Sequence, residues 1–146
     1  MSYQPNTGTN MLEYNKLIKT FARDILSCGC DDEVFNHIAH QSRIPVTPDI
    51  EAYKRINIGN RLLVYIIKVE DPESIKGNLV KILSAGKKDR DTTGFNRFRL
   101  ALIAPEGAIN KKILSEIFDE FRNGDEKIHL HILDQDNEII KKLMLY

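Results

Sequence analysis

Apolar residues recur at intervals of three and four near the start of the chain. Within residues 11–26, the apolar positions that follow this spacing are Tyr14, Ile18, Phe21 and Ile25. Because a helix makes a turn about every 3.6 residues, these side chains lie on one face and predict an amphipathic helix. Gly29 suits the left-handed end of that helix, and Asp31 suits the N-cap of a second helix that extends to about Gln41. The pattern therefore predicts an N-terminal helical pair.

The middle of the chain changes to a pattern typical of strands. Two apolar segments, AYKRINI and RLLVYIIKV, are separated by Gly59 and Asn60. Glycine adopts a positive φ at no steric cost, so this pair predicts a tight two-residue β-hairpin turn in which Ile58 faces Arg61. The second segment is apolar at nearly every position, which indicates a central strand covered on both faces.

Helices and strands alternate in the rest of the chain. A helix is predicted from Pro72 to about Ala85, with Asp71 as its N-cap, and a polar loop is predicted at 86–94. The later elements are the strand FNRFRLALIA, a helix at about 109–121, the strand KIHLHIL and a short C-terminal helix. Such alternation favours parallel pairing. The predicted fold class is α+β or α/β, a single domain with a mixed four-stranded sheet in which the helical pair and the β-hairpin precede an α-β-α-β-α series.

The composition is that of an ordinary globular domain. A chain of 146 residues fits one domain, which we assign to residues 11–146, while the polar residues 1–10 predict a disordered N-terminal arm. The 21 basic and 21 acidic side chains leave no net charge, which argues against dedicated nucleic-acid binding. No apolar run is long enough to span a membrane and the N-terminus lacks a secretory signal, so we expect a cytoplasmic protein.

Both cysteines of the chain lie in the segment SCGCDDEVF, separated only by Gly29. In the cytoplasm, such a pair is typical of reduced thiols, a metal site or a redox pair rather than of a structural disulfide. The positive end of the second predicted helix would favour a thiolate at Cys30, although Asp31 and Asp32 oppose this effect. We interpret Cys28 and Cys30 as a dithiol or as two metal ligands. The alternative is a capped helix corner packed by two small side chains.

Two histidines, His37 and His40, follow on the second predicted helix and share one of its faces. Together with Cys28 and Cys30 they complete the pattern C-x-C-x6-H-x2-H, a set of ligands that zinc accepts. The spacing differs from the common zinc-finger patterns, so a pair of solvent-facing histidines is the alternative. Zinc is the cofactor that the hypothesis implies.

A second set of candidate residues lies on two predicted strands. Side chains alternate along a strand, so Arg97 and Arg99 share one face of their strand, and His129 and His131 share one face of theirs. If these strands pair in parallel, four cationic or titratable groups meet on one face of the sheet. Arginine is well suited to clamping a phosphate or carboxylate, so the pattern predicts a site for a small anionic ligand or nucleotide. The alternative is a solvated sheet face with all helices on the other side.

Three classes of function therefore remain open. The first is a small binding or redox module that uses Cys28 and Cys30. The second is an anion- or nucleotide-binding protein that uses the arginines and histidines of the sheet. The third is a non-catalytic interaction protein that forms a homodimer through apolar stripes on its terminal helices. No motif in the sequence assigns an enzyme class.

Overall fold

The computed structural model describes residues 7–146, with side-chain surroundings from residue 11 onward. The strands are β1 (Ile38–Pro45), β2 (Glu51–Ile58), β3 (Leu62–Lys68), β4 (Arg97–Ala104) and β5 (Ile128–Asp134). The α-helices are α1 (Thr7–Thr20), α2 (Pro72–Thr93), α3 (Lys111–Arg122) and α4 (Glu138–Leu143). A π-helical turn, Phe21–Ile25, continues α1, and a 3₁₀ turn covers Asp32–Asn36. The predicted arm overlaps α1 at residues 7–10 and otherwise lies outside the described residues.

The strands form one mixed sheet in the order β1-β2-β3-β4-β5. The first three strands pair antiparallel, and β3, β4 and β5 pair in parallel. The predicted alternation of strands and helices after the β-hairpin is confirmed, and so is the mixed, single-sheet α+β character. The sheet has five strands instead of the predicted four, because the first half of β1, up to about Gln41, was predicted to be helical and its second half was not assigned to a strand.

Helices cover both faces of the sheet. One face, here called the α2 face, packs against α2 and α3 through β-strand side chains that include Leu63, Tyr65, Leu100 and Leu102. The opposite face, here called the α1 face, packs against α1, the π-helical turn and α4 through Ile56, Val64, Ala101 and Ile103. The result is a three-layer arrangement with an apolar core on each side of the sheet.

The predicted second helix is wrong. Asp31 precedes only the short 3₁₀ turn, and the chain then becomes extended and pairs with β2 from Ile38 to Pro45. Residues 38–45 thus satisfy their backbone donors and acceptors at the open edge of β2, and this long-range pairing overrides the local helical pattern. Since β1 is extended, His37 and His40 do not share a helical face.

The β-hairpin between β2 and β3 is confirmed, but its predicted register is wrong by one residue. Ile58 lies opposite Leu62 rather than Arg61, so the loop contains three residues instead of two. Gly59 and Asn60 both have a positive φ, of 64° and 58°. A side chain at Gly59 would also overlap Val34, because the 3₁₀ turn packs directly against the loop.

The predicted polar loop at 86–94 is wrong as well, because α2 continues through it and ends at Gly94 with φ 90°. The buried stripe of this helix begins with Ile75, Leu79 and Ile82 and then passes through Gly86, Asp89 and Arg90. Asp89 and Arg90 occupy inward-facing positions because each one has an ion-pair partner elsewhere in the fold. Asp89 and Arg90 therefore lie on the inner face of a helix, while the other charged residues of this segment, Lys87, Lys88 and Asp91, are exposed.

None of the helices in residues 7–146 is both long enough and apolar enough to cross a bilayer. The cytoplasmic location and the homodimer both stay predictions.

Candidate anion-binding site

Parallel pairing of β4 with β5 brings the four basic residues of the second predicted site onto the α1 face. Arg99 lies opposite His129, and Ala101 lies opposite His131. Arg97 is exposed at the start of β4, Arg99 is buried, and both histidines are partly buried. We call Arg97, Arg99, His129 and His131 the basic cluster. The strand adjacency that the sequence could only assume is present in the structure.

Arg99 uses one of its terminal nitrogens to reach two different parts of the protein. Nη1 donates a hydrogen bond of 2.7 Å to the carbonyl oxygen of Leu26, at the end of the π-helical turn. The same nitrogen lies 2.9 Å from Nε2 of His131. A guanidinium group only donates, so Nε2 of His131 must accept, which places the ring proton on Nδ1 and leaves the imidazole neutral. Arg99 is thereby fixed between the helical layer and the edge strand.

The other edge of the Arg99 guanidinium group is unused. Nε is buried and has no hydrogen-bond partner in residues 7–146, and Nη2 makes no hydrogen bond to any described residue. Nε2 of His129 is also buried without a partner in this part of the chain. Buried nitrogens without partners are uncommon in folded proteins. The Nε and Nη2 pair is the edge with which arginine binds a carboxylate or phosphate through two parallel hydrogen bonds.

The histidines of the basic cluster are held in their neutral form. Burial, followed by the charge of Arg99 and then by His129, lowers the pKa of His131 to about 4. Burial also lowers the pKa of His129, with further contributions from Arg99, Arg97 and Arg122 that Asp125 partly opposes. The pKa of the Arg99 guanidinium is lowered by burial and then by Arg97. These directions show that the neighbourhood disfavours additional positive charge.

Three cations are buried in the part of the chain that the structure describes, namely Lys54, Arg90 and Arg99. Arg90 and Arg99 are equally buried, each with 7% of its surface exposed. Arg90 forms ion pairs with Asp125 at 3.0 Å and with Asp91 at 2.9 Å. Arg99 forms no ion pair with any carboxylate of residues 7–146. Asp125, an acid close enough to act on His129, is already bound to Arg90.

The third buried cation, Lys54, is held by hydrogen bonds and aromatic rings on the α1 face. Its ammonium group donates to the hydroxyl of Ser42 at 2.7 Å and to the main-chain oxygen of Tyr146 at 3.0 Å. It also lies over the rings of Tyr14 and Tyr53. The ammonium group of Lys54 therefore has several partners, whereas the Nε and Nη2 edge of Arg99 has none among the described residues.

The two cysteines are paired in the structure. Their sulfur atoms lie within bonding distance as a disulfide, with the Cα atoms 5.3 Å apart, and both side chains are half-buried against the core of the α1 face. Cys30 donates its backbone N–H to the sulfur of Cys28 at 3.3 Å. Arg23 spans the turn by donating to the carbonyl oxygen of Cys30 at 3.1 Å and to Asp32 at 2.7 Å.

The predicted zinc site is not assembled in this structure. His37 precedes β1, and His40 lies within β1, where its ring contacts that of Tyr14. Among residues 7–146, no group of three or more His, Cys, Asp or Glu side chains is arranged to hold a metal ion. Metal binding by Cys28 and Cys30 stays a prediction.

Sequence reasoning missed the link between the two candidate sites. Leu26, whose carbonyl oxygen holds Arg99, lies only two residues before Cys28. A backbone carbonyl leaves no signature in a sequence, so no pattern could have revealed this contact. Arg122, at the end of α3, also belongs to the surroundings of His129 and was not predicted.

A groove of about 520 Å³ lies at the opposite end of the sheet, beyond the carboxyl end of β3. Its charged lining consists of four carboxylates and two cations, namely Asp49, Glu51, Glu70, Asp71, Arg43 and Lys68. This surplus of negative charge suits an anion poorly. The basic cluster is therefore the stronger candidate for an anion.

Comparison of the chain with protein-family models, with curated proteins and with solved structures finds no match in any of the three.

Proposed function

We propose that the protein binds a small oxyanion, a phosphate or carboxylate, at the basic cluster. The observation that carries the proposal is the buried Arg99, which has a free Nε and Nη2 edge and no carboxylate partner in residues 7–146. A buried charge without a partner is costly, so a bound anion would stabilise it. This function was the second of the three classes that the sequence left open.

The protein contains a template for such binding in Arg55. Its Nε and Nη2 donate to the two carboxylate oxygens of Asp89, at 2.7 Å each. The same edge of Arg99 makes no hydrogen bond to a described residue. An oxyanion at that edge would make the two parallel hydrogen bonds that Asp89 makes to Arg55.

The histidines give the proposed site its entry path and its pH dependence. Nε of Arg99 and Nε2 of His129 are shielded from solvent, so an anion is expected to reach them when one of the partly exposed imidazole rings rotates. Protonation of His129 or His131 would add positive charge next to the anion. Anion affinity is therefore expected to rise as the pH falls from 6.5, the ordinary histidine pKa, towards about 4, the pKa of His131 in the free protein.

The test is thermal unfolding of the protein in the presence of inorganic phosphate. Phosphate at 100 times its Kd should raise the free energy of unfolding by about 2.7 kcal/mol. The double variant Arg97→Gln/Arg99→Gln should lose this stabilisation, whereas Arg43→Gln, which removes an exposed arginine on β1, should keep it. Equal stabilisation of the double variant and the unsubstituted protein would remove the proposed site.

A thiol–disulfide function at Cys28 and Cys30 is a second candidate. It is favoured by two half-buried sulfur atoms within bonding distance of each other. The measurement is alkylation of the native protein with iodoacetamide before and after treatment with dithiothreitol. Two sites modified only after reduction are expected, and two sites modified equally before and after would exclude the pair as a disulfide.

A further inference from the structure

The cysteine turn and the basic cluster are joined by one hydrogen bond. Arg99 donates to the carbonyl oxygen of Leu26 at 2.7 Å, and the chain reaches Cys28 two residues later. Cys28 in turn donates its backbone N–H to the carbonyl oxygen of Ala22 at 3.0 Å. The disulfide, the end of the π-helical turn and the buried guanidinium group thus form one connected unit.

The backbone of this turn is held in conformations that a free chain avoids. Ser27 has φ 54° and Gly29 has φ 64°, so a left-handed residue lies on each side of Cys28. The conformation is easy for Gly29, but for a residue with a side chain such as Ser27 it costs about 1–2 kcal/mol. The disulfide closes a ring that spans only Cys28, Gly29 and Cys30, which limits the conformations open to this segment. Ser27 directly precedes this ring, so opening the ring is expected to let Ser27 relax and the Leu26 carbonyl shift.

We propose that the redox state of Cys28 and Cys30 controls the affinity of the basic cluster for its anion. The proposal rests on the anion-binding function proposed above. In the disulfide form, the Leu26 carbonyl fixes Nη1 of Arg99 and so holds the Nε and Nη2 edge in place for the ligand. In the dithiol form this support is lost, and the anion must order the arginine side chain as it binds.

Reduction is therefore expected to weaken anion binding. Immobilising one long side chain on binding lowers affinity by about three- to tenfold. Thermodynamic linkage requires the reverse effect as well, so bound anion should make the disulfide harder to reduce by the same factor. A tenfold change corresponds to about 30 mV for a two-electron couple.

The chemical step is exchange with a low-molecular-weight dithiol. The S–S bond between Cys28 and Cys30 breaks, and the dithiol forms its own disulfide. Two electrons and two protons pass from the dithiol to the cysteines, which become two thiols. Dithiothreitol serves as this reactant in the test.

The experiment compares the Kd of inorganic phosphate for the full chain with and without dithiothreitol, measured by isothermal titration calorimetry. The expected result is a Kd three- to tenfold higher after reduction. The double variant Cys28→Ser/Cys30→Ser should match the reduced protein and should not respond to dithiothreitol. A matched variant, Ser27→Gly, keeps both cysteines but removes the steric cost of the left-handed backbone, so its Kd should change less on reduction.

The outcomes separate the two proposals. Phosphate that binds equally to the oxidised and reduced proteins, but not to Arg97→Gln/Arg99→Gln, overturns the redox control and leaves the anion site standing. Phosphate that binds to neither form overturns both proposals. A higher affinity after reduction also contradicts the proposed control, because it reverses the direction that the Leu26 contact predicts.

Discussion

Arg55 and Arg99 lie two strands apart in one sheet, and their guanidinium groups differ in whether a carboxylate pairs with them. On the α2 face, Arg55 gives its Nε and Nη2 edge to Asp89, which also accepts hydrogen bonds from Tyr65 at 2.6 Å and Thr93 at 3.0 Å. On the α1 face, Arg99 gives only Nη1 to a carbonyl oxygen and to His131, and no carboxylate of residues 7–146 balances its charge.

The contrast separates a structural cation from a candidate binding group. Asp89 keeps a depressed pKa despite the opposing effect of burial, because Arg55, Tyr65 and Thr93 donate to it. In that network Asp89 already occupies the Nε and Nη2 edge of Arg55, so this edge is not available to a ligand. The surroundings of Arg99 are incomplete, and protein interiors rarely leave such donors unused without a reason.

The largest expected effect is the loss of the carboxylate from the complete network. Asp89→Ala leaves Arg55 half-buried without its ion-pair partner and removes the acceptor of the Tyr65 hydroxyl. We expect the free energy of unfolding to fall by about 3 to 5 kcal/mol. Urea denaturation followed by circular dichroism measures it, with Glu120→Ala on the exposed side of α3 as the control. A loss below about 1 kcal/mol would show that the network does not stabilise the fold.

The second effect is a pH dependence that originates on the α1 face. The pKa of His131 is about 4 in the folded protein and about 6.5 when unfolded, so only the unfolded state gains a proton between these values. Stability from this group is complete above pH 6.5 and is lost as the pH falls to 4, by at most about 3 kcal/mol.

The measurement for His131 is urea denaturation at a series of pH values from 7 to 4. His131→Gln should show a shallower decline than the unsubstituted protein, while His37→Gln, at an exposed position before β1, should follow the unsubstituted protein. Identical declines in all three proteins would contradict a buried, neutral His131. The pKa of Asp89 is lowered from its ordinary value by its donors despite burial, so its own contribution is lost mainly at more acidic pH than this series covers.

The third effect tests the contrast directly. Arg99→Met removes the hydrogen bond to Leu26 but also removes an uncompensated buried charge, so the two changes offset each other. We expect the free energy of unfolding to change by less than about 1 kcal/mol, measured by urea denaturation without added anions. A loss as large as that of Asp89→Ala would place Arg99 with Arg55 as a structural cation.

The smallest effect belongs to an exposed pair. Arg43 and Glu51 are 3.1 Å apart, but 78% and 50% of their side-chain surfaces remain exposed. A double-mutant cycle of Arg43→Ala and Glu51→Ala should give a coupling energy below about 0.5 kcal/mol. A coupling energy as large as that of the Arg55 and Asp89 pair would mean that solvent exposure does not determine the strength of the ion pairs of this protein.

Local periodicity was enough to predict the parallel half of the sheet and the composition of the basic cluster. In β4 and β5, apolar residues alternate with Arg97, Arg99, His129 and His131, which assigned these four residues to one face of each strand. The pairing of the two strands was only assumed, and the structure provides it. Such a pattern depends only on neighbouring residues along the chain, which is why it is visible without a structure.

Features that depend on distant partners were not predictable in the same way. Residues 38–45 form a strand because β2 offers an open edge. The end of α2 is helical because its two inward-facing charged residues form ion pairs with Arg55 and Asp125. The Leu26 carbonyl that anchors Arg99 has no side-chain signature. The missed features are therefore those in which one element determines the state of another.

The pairing of every strand with its predecessor in the chain has a consequence for how the protein is made. A strand leaving the ribosome always finds its neighbour already synthesised, so the sheet can grow in one direction. The helix α1 differs, because some of its packing partners are synthesised long after it. Ile18 and Phe21 pack in a core that also contains Ala101 of β4 and Ile140 of α4. The packing of α1 can therefore be completed only after α4 has been synthesised, and part of its apolar stripe is expected to stay exposed on the nascent chain until then.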